Sequence, residues 1–386
     1  MIKALRGMKD IIDDKFLKIF DTTREVAQNY GFSYIETPIL EETRLFKRSV
    51  GESSDIVNKE MYEFIDKGGN EVCLRPEGTA GVVRSYIEHK FDRLETPKRF
   101  WYFGPMFRYE RPQKGRFREF HQFGVESFKE PSVWEDINII AIAADIFDKL
   151  GIKYTLKINS LGCSECMPKY KEKLVEFLQK HKDSLCEDCQ RRIKQNPIRT
   201  LDCKLNSCQA ILKEAPKITD HLCKTCQEDF EKLQKGLDNL EIKYEIDKNL
   251  VRGLDYYTKT TFEFISNEIG AQSAIAGGGR YDKLVESLGG KPTPAVGFAI
   301  GIERIMDLIK EEDKREGIYI GAMIEEAIPF IQKEAKKLRK DQKVYVEVKP
   351  KSLKAHLKAA DKGKFKKALI VGEDELKKGE FFEKEL

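Results

Sequence analysis

The chain has 386 residues, of which 35% are charged and 40% hydrophobic, and its formal net charge is +4. This length suits two or three domains, and this composition favours a packed core under a charged surface over a disordered chain. No stretch approaches the ~20 consecutive apolar residues that a membrane-spanning helix needs, and the N-terminus has no apolar signal core. A soluble, cytoplasmic protein without membrane contact is therefore predicted.

The first segment, to about residue 160, mixes helix and strand signals. Apolar residues recur at helical spacing over residues 14–29, which predicts an amphipathic helix. Two aromatic-rich runs, 100–103 and 118–128, are typical of strands, and the polar loop 111–116 lies between them. The pattern predicts a long antiparallel hairpin with a basic tip, followed by a helix over residues 134–150.

The rest of the chain changes character twice. Residues 163–240 are rich in Lys, Glu and Cys, and their short helical runs predict an inserted helical module. Beyond about residue 317, short apolar strands alternate with helices, which predicts a small α/β domain with a largely parallel sheet. Within that domain, residues 333–367 contain 14 Lys or Arg against 4 Asp or Glu. This excess fits contact with RNA, and it fits a solvated helix face equally well.

Common nucleotide-binding and catalytic signatures are missing from the sequence. It contains no Walker-type P-loop, no nucleophile-elbow serine and no dinucleotide fingerprint after a strand. The glycine run 277–279 lacks the spacing of a phosphate cradle and predicts close backbone packing within a sheet. Any use of ATP must then depend on cationic side chains. Five segments combine arginine, acidic, tyrosine and glycine residues in a specific way: 74–79, 107–126, 250–258, 276–284 and 296–304.

Together these five segments resemble the class II aminoacyl-tRNA synthetases. The hairpin is similar to the second signature motif of that class, and residues 301–304 are similar to the third. Residues 34–40 resemble the weaker first motif, which implies dimer contacts. Segments 250–258 and 276–284 are similar to two motifs peculiar to the histidyl-tRNA synthetases. The resemblance covers nearly the whole chain.

The resemblance implies a fold class and a domain organisation. An α+β catalytic domain of the class II type, built on an antiparallel sheet, would comprise residues 1–162 and 241–314. The helical, cysteine-rich insertion would occupy 163–240, and a C-terminal α/β anticodon-binding domain would occupy 317–386. Family members usually continue with a last strand and helix beyond the point reached at Leu386, so a short C-terminus is expected.

The implied activity is ATP-dependent ligation of L-histidine to tRNA-His through a histidyl-adenylate, with Mg²⁺, in a homodimer. Arginine suits such a reaction because it is always charged and grips oxygen pairs with a rigid fork. By motif position, Arg108 and Arg304 hold the α- and γ-phosphates, and Glu110 and Arg116 complete the ATP site. Arg252 is the catalytic cation, in place of the metal ion that other members of the class use there. One arginine alone is more simply a surface ion pair, but four at matching motif positions favour the phosphate site.

Recognition of histidine requires acceptors for its α-ammonium group and hydrogen-bonding partners for its imidazole. The resemblance implies Glu77, Thr79 and Gln122 for the ammonium group, Glu126 and Tyr257 for the imidazole, and Tyr256 and Tyr281 for the wall. Core packing within a sheet is the simpler role for these tyrosines, above all for Tyr281. At the hairpin tip, Arg111 and Gln113 would help to read the extra guanosine of tRNA-His.

Eight of the nine cysteines lie within the predicted module. They form four pairs: Cys163 with Cys166, Cys186 with Cys189, Cys203 with Cys208, and Cys223 with Cys226. Two intervening residues is the usual spacing in half of a tetrahedral zinc site, so four pairs allow up to two Cys₄ sites. The resemblance implies the opposite, because this insertion is not generally a metal site and serves to close over the tRNA acceptor arm. Structural zinc and buried or oxidisable thiols both stay open.

Two other functions remain alternatives at this point. A non-catalytic paralogue on the same fold would regulate histidine biosynthesis, but such a protein typically lacks the C-terminal domain and parts of the two histidine-specific motifs. A zinc-ribbon RNA-binding protein would explain the cysteines but none of the five segments.

Overall fold

The computed structural model describes residues 2–51, 54, 56–269, 273–310 and 315–386. The chain divides into two compact units, Met1–Ile309 and Lys310–Leu386. Within the described part of the chain, no helix combines the length and the apolar character that crossing a membrane requires. The division of the first unit into a catalytic core and an inserted module stays a prediction, and residues 311–314, where that core was expected to end, lie outside the described residues.

The first unit is built on a large sheet and a small one. Its strands are β1 (Ser33–Tyr34), β2 (Leu40–Glu42), β3 (Tyr62–Ile65), β4 (Glu71–Leu74), β5 (Lys98–Phe107), β6 (Glu119–Phe128), β7 (Thr155–Ser160), β8 (Tyr244–Ile246), β9 (Thr258–Ile265), β10 (Ala274–Arg280) and β11 (Ala295–Gly301). The large sheet has the order β1-β5-β6-β11-β10-β9-β7-β8, and the small one has the order β2-β4-β3. Neighbours from β5 to β7 pair antiparallel, whereas β1 and β8 pair parallel at the two edges. The predicted α+β fold on an antiparallel sheet is confirmed.

Helices cover the large sheet and form its core with it. The helices of this unit are α1 (Lys15–Asn29), α2 (Thr43–Val50), α3 (Thr79–Glu88), α4 (Val133–Lys149), α5 (Cys166–Lys180), α6 (Glu187–Gln195), α7 (Asn206–Leu212), α8 (Lys224–Asn239), α9 (Leu284–Ser287) and α10 (Ile302–Met306). The Ser132 hydroxyl caps α4 by accepting from the Trp134 amide at 3.3 Å. Because α4 is apolar on most of its surface, it is buried between the sheet, α1 and α8.

The predicted hairpin is formed by β5 and β6. Their pairing runs from Lys98 opposite Phe128 to Phe107 opposite Glu119, and a bridge between Gln113 and Arg116 closes the tip. Strand β11 lies beside β6 with Gly301 opposite Gln122. This register brings the start of α10 next to the hairpin, so the second and third motifs become neighbours in space.

The second unit has its own sheet and core. Its elements are β12 (Ile318–Ala322), α11 (Ile328–Leu338), β13 (Val344–Glu347), α12 (Leu353–Lys362), β14 (Lys367–Val371), α13 (Glu373–Lys378) and β15 (Phe382–Glu385). The order is β13-β12-β14-β15, with parallel pairs except for the antiparallel edge strand β15. His356 is fully buried between the Tyr319 hydroxyl and the Ala322 carbonyl, each at 2.8 Å, so it is a core histidine. The predicted α/β unit with a largely parallel sheet is confirmed.

Candidate active site

A cleft opens in the first unit between the hairpin, α10 and the 250–258 segment. Residues from all five sequence segments line it. Ten of the predicted site residues are among them: Glu77, Thr79, Arg108, Glu110, Arg116, Gln122, Arg252, Tyr256, Tyr257 and Arg304. The side chains that the sequence separates by up to 227 positions, from 77 to 304, therefore meet at one cleft.

Arg304 lies at the centre of an arginine cluster. Its Nε donates to the Gly115 carbonyl at 3.0 Å and its Nη1 donates to the Ala274 carbonyl at 2.7 Å. These two bonds hold the guanidinium between the hairpin tip and β10. Burial, followed by the like charges of Arg116 and Arg108, lowers the pKa of Arg304. Cations held this close together repel one another, so the cluster is a place where an anion is strongly stabilised.

Two further arginines of the cluster are held by different partners. Arg108 donates from Nε to the Pro76 carbonyl at 2.9 Å, and its guanidinium lies 5.2 Å from the Phe120 ring centroid. Arg116 pairs through Nη1 with Oε2 of Glu110 at 3.0 Å. Glu110 is the carboxylate at this end of the cleft, and it offsets part of the positive charge.

Arg252 reaches the cleft from the opposite side. Its Nη1 pairs with the Glu263 carboxylate on β9, while its Nε finds no hydrogen-bond partner among the described residues. A Cβ atom at Gly277 would lie 2.2 Å from Nη2 of Arg252, so only glycine lets this guanidinium lie on β10. A Cβ at Gly278 would meet the Gly297 carbonyl of β11 at 2.2 Å. The predicted close packing of the glycine run is confirmed.

The cleft is also lined by uncharged polar groups. The side-chain oxygen of Gln122 is buried and has no hydrogen-bond partner among the described residues. Buried acceptors are rarely left unpaired in proteins, so this oxygen indicates a donor supplied by a ligand. The rings of Tyr256 and Tyr257 are in contact, with centroids 4.6 Å apart and planes tilted by 51°. Burial raises the pKa of Tyr257 to about 12. Both hydroxyls therefore stay protonated near neutral pH.

The Glu77 carboxylate lines the cleft and also accepts hydrogen bonds from the backbone. Its two carboxylate oxygens accept from the amides of Thr79 at 2.7 Å and Ala80 at 2.8 Å, in the first turn of α3. An anion is favoured at this end of a helix. Burial raises the pKa of Glu77, against the opposing effect of these two amides.

Glu126 and Tyr281 do not line the cleft. Each is 1% exposed, and the Tyr281 hydroxyl donates to the Glu126 carboxylate. Burial raises the pKa of Glu126 to about 8, although the hydroxyls of Tyr281 and Thr79 oppose that shift. A Cβ at Gly297 would lie 2.0 Å from Oε2 of Glu126, so this glycine makes room for the carboxylate. The pair lies directly behind Thr79, which does line the cleft.

The two residues predicted to contact tRNA lie apart from this cleft. Arg111 and Gln113 are exposed at the hairpin tip. Neither side chain lines the cleft, although the Gln113 backbone pairs with that of Arg116, which does.

Several residues of the site were not identified from the sequence. Glu303 accepts from the His121 amide at 2.9 Å and pairs with its Nδ1 at 2.9 Å, so it fixes β6 beside Gln122. Its position next to Arg304 in the third motif was a signal that could have found it. Glu263 is brought to its partner Arg252 by strand pairing, so no local sequence pattern could have identified it.

The cysteines of the predicted module form two clusters away from the cleft. The first cysteine cluster is Cys163, Cys166, Cys223 and Cys226, and the second is Cys186, Cys189, Cys203 and Cys208. In each cluster all four Sγ atoms lie within 4.8 Å of one another.

Similarity to known proteins extends along the whole chain. The family model described as Histidyl-tRNA synthetase matches residues 13–305. A histidine–tRNA ligase from a Nitratiruptor species is 63% identical over 389 residues, covering 100% of this chain and 96% of that protein. The crystal structure of apo S. aureus histidyl-tRNA synthetase has a TM-score of 0.79 at 34% identity, covering 100% of this chain and 97% of that one.

A third comparison concerns the fold alone. A Bacillus halodurans structure described as an ATP phosphoribosyltransferase regulatory subunit/histidyl-tRNA synthetase has a TM-score of 0.69 at 22% identity, covering 96% of this chain and 98% of that one. The family model and the relatives with higher identity span both the cleft and the motifs that line it. The chain therefore belongs to the histidyl-tRNA synthetase family.

Proposed function

We propose that this chain ligates L-histidine to tRNA-His with ATP, through a histidyl-adenylate, releasing AMP and diphosphate. The observation that carries the proposal is the convergence of Arg108, Arg116, Arg252 and Arg304 on one cleft that is also lined by acceptors and hydroxyls: Glu77, Thr79, Gln122, Tyr256 and Tyr257. A relative that is 63% identical and named histidine–tRNA ligase supports the same reaction.

The first step is an in-line displacement at the α-phosphorus of ATP. A carboxylate oxygen of histidine forms the new bond to phosphorus, and the bond to the oxygen bridging the α- and β-phosphates breaks, so diphosphate leaves. Negative charge builds on the non-bridging oxygens and on the leaving group, and fixed cations stabilise it most in a site of low polarity. Arg252 and Arg108 face the α-phosphate, whereas Arg304 and Arg116 face the departing phosphates.

Mg²⁺ fits the arginine end of the cleft as a companion of ATP. Mg²⁺ in nucleotide sites commonly takes one or two carboxylates together with phosphate oxygens and water. Glu110 supplies such a carboxylate beside Arg116. When bound there, the ion would neutralise charge on the phosphates of ATP.

Histidine is assigned to the part of the cleft that Glu77, Thr79, Gln122, Tyr256 and Tyr257 line. The unpaired oxygen of Gln122 and the carboxylate of Glu77 accept from the α-ammonium group, together with Thr79. The hydroxyls of Tyr256 and Tyr257 face the imidazole. Glu126 and Tyr281, one layer behind, set the polarity of this part of the cleft.

The second step transfers the histidyl group to the terminal ribose of the tRNA. A second cavity adjoins Arg252 and Tyr257 and is lined by Lys171, Lys259 and Lys283. These cations suit the phosphates of an acceptor strand that approaches between the cysteine-rich module and the 250–258 segment. Arg111 and Gln113 at the hairpin tip are assigned to the extra guanosine, and the basic stretch 333–367 of the second unit is assigned to the anticodon region.

A homodimer is proposed on the segment that resembles the first motif. Large apolar side chains are exposed by 42 to 49% on and beside the small sheet: Tyr34, Ile39, Leu40 and Phe64. A second copy of the chain covering this patch would remove its apolar surface from water. Sedimentation equilibrium tests this, and a monomer mass at micromolar concentration would contradict it.

The experiment for the reaction is histidine-dependent exchange of diphosphate into ATP, run beside a panel of other amino acids. Arg252→Ala should lower the exchange rate by about 10²-fold or more, the usual effect of removing a charge-stabilising donor. Arg24→Ala is the matched control, because Arg24 is exposed on α1, where it pairs with Asp21 and lies over the Phe20 ring, and it does not line the cleft. Exchange absent from the wild-type chain would favour a regulatory role, and near-normal exchange in Arg252→Ala would remove this residue from the chemistry.

A further inference from the structure

We infer that the cysteine-rich module binds two structural zinc ions, one in each cysteine cluster. The first cluster joins the start of α5 to the start of α8, and the second joins α6 to the segment leading into α7. All eight thiols of the module are used and none is left over, since the ninth cysteine, Cys73, lies elsewhere.

The sulfur spacing matches a single ion at each centre. Two thiolates bound at about 2.3 Å to one tetrahedral zinc ion lie about 3.8 Å apart. Sγ of Cys163 lies 3.8 Å from Sγ of Cys166 and 3.8 Å from Sγ of Cys223. In the second cluster, Cys186 and Cys203 are 3.9 Å apart. Each of these three distances is the edge of a zinc–thiolate tetrahedron.

Other cysteine chemistry does not fit this spacing. A disulfide holds its sulfurs about 2.0 Å apart, and every cysteine of the chain is free. An iron–sulfur cluster spreads its four cysteines over two or more iron atoms, so the sulfurs on different irons lie further apart than the 4.8 Å within which all four lie here. Four unligated thiols packed within 4.8 Å would fill the space poorly and would form no strong hydrogen bonds among themselves.

Backbone amides point at the sulfurs as they do around bound thiolates. The Cys223 amide donates to Sγ of Cys166 at 3.0 Å, and the Glu165 amide donates to Sγ of Cys163 at 3.4 Å. In the second cluster, the Cys186 amide donates to Sγ of Cys208 at 3.3 Å. Donors around the ligating atoms orient them and stabilise their negative charge. Both clusters share this feature, although their cysteines come from unrelated positions in the chain.

The module needs such support because its apolar core is small. Its buried core consists mainly of aliphatic side chains from short helices. Five cysteines are also part of this core: Cys166, Cys189, Cys203, Cys208 and Cys226. Units of this size are commonly stabilised by a metal ion when the apolar core alone is insufficient. Binding of zinc to deprotonated thiols then contributes directly to the folding free energy.

The test is the metal content of the full-length protein, purified under reducing conditions without added metal. Inductively coupled plasma mass spectrometry should find two zinc ions per chain, one for each cluster. Cys226→Ser and Cys208→Ser should each lower the content to one, because each removes a ligand of one cluster only. Cys73→Ser is the control, since Cys73 is a buried cysteine outside the module, and it should retain both ions.

A second measurement keeps the inference testable where a serine variant fails to fold. Wild-type protein produced in cobalt-supplemented, zinc-poor medium should show the intense ligand-field absorption of tetrahedral cobalt–thiolate sites. Less than about half an equivalent of zinc in the reduced wild-type protein, or a cobalt spectrum without tetrahedral bands, would overturn the inference. If the wild-type protein held one equivalent of zinc and only Cys226→Ser lost it, the site in the second cluster would be overturned. None of these readouts depends on the proposed reaction.

Discussion

Arg199 of the predicted module donates from Nε to Oδ1 of Asp255 at 2.8 Å, and from Nη2 to the Gly253 carbonyl at 2.6 Å. Asp255 also accepts from the Asn196 amide group at 2.9 Å. These bonds attach the module to the loop that carries Tyr256 and Tyr257. The position of these two tyrosines, which line the cleft, is therefore set partly from outside the large sheet.

Arg199→Lys should weaken histidine binding more than it slows turnover. Lysine offers a point charge and cannot reproduce the two-armed contact with Asp255 and Gly253. We expect the KM for histidine in the exchange reaction to rise about tenfold, which corresponds to about 1.4 kcal/mol, with kcat changed less.

Arg191→Lys is the matched control for this change, because Arg191 belongs to the same module but pairs with Asp188 on the exposed face of α6. A loss of kcat with an unchanged KM for histidine in Arg199→Lys would show that the contact does not position the loop. A shift in KM of equal size in Arg191→Lys would show that the effect does not depend on the contact with Asp255 and Gly253.

A buried ion pair should dominate the stability of the first unit. Arg280 and Asp136 are each 1% exposed, and Arg280 also donates to the carbonyls of Glu130 and Ser132, both at 3.0 Å. Arg280→Met leaves Asp136 charged and unpaired, which costs about 3–5 kcal/mol of unfolding free energy. Urea denaturation followed by tryptophan fluorescence measures this loss.

Lys283→Met is the comparison for that variant, because Lys283 pairs with Glu286 at the surface and such pairs contribute less than about 1 kcal/mol. If the two variants lost a similar amount of unfolding free energy, the buried pair would contribute no more to stability than a surface pair does. The result bears on the 276–284 motif, whose arginine is buried in the core and does not reach the cleft.

Much of this arrangement followed from the sequence, and the exceptions have physical causes. The hairpin and the second unit were predicted because apolar periodicity and turn residues are local signals, whereas the antiparallel sheet of the first unit was implied by the family resemblance. Arg108, Arg252 and Arg304 were assigned to one site by motif resemblance, and their convergence is observed. Arg199 and Glu263 were missed because their partners, Asp255 and Arg252, are brought to them by tertiary packing.

Two further features could not be predicted from the sequence for similar reasons. Edge strand β15 has an exposed, charged sequence that gives no apolar alternation, so its pairing with β14 was not predicted. Four cysteine pairs left the ligand sets open, since spacing alone does not say which pairs join. The fold joins the first pair to the fourth and the second to the third.

Glu126 should make the stability of the first unit depend on pH. Burial raises its pKa from 4.5 to about 8 in the folded chain, so the folded state binds a proton that the unfolded state has released. Its contribution is fully present below pH 4.5 and is lost as pH rises through about 8. Glu126→Gln cannot ionise, so its unfolding free energy should fall less than that of the wild type between about pH 6 and about pH 8.5.

Urea denaturation at several pH values checks this, with Glu286→Gln as the exposed control. Parallel pH profiles for the wild type and Glu126→Gln would show that the carboxylate is ionised in the folded state throughout. A flatter profile in the control would indicate a general charge effect.

The hairpin tip should act only in the second step of the proposed reaction. Gln113 is exposed and does not line the cleft, so Gln113→Ala removes no group from the adenylate site. We expect histidine-dependent exchange within about twofold of the wild type. Aminoacylation of tRNA-His should fall about tenfold, which corresponds to the loss of one to two hydrogen bonds to a base.

Lys114→Ala, at the adjacent exposed position, separates contact with a base from general attraction to phosphate. The lysine variant should weaken tRNA binding in a way that depends on salt, whereas the loss in Gln113→Ala should persist at all salt concentrations. Equal losses of exchange and aminoacylation in Gln113→Ala would place this side chain in the first step and contradict the assignment.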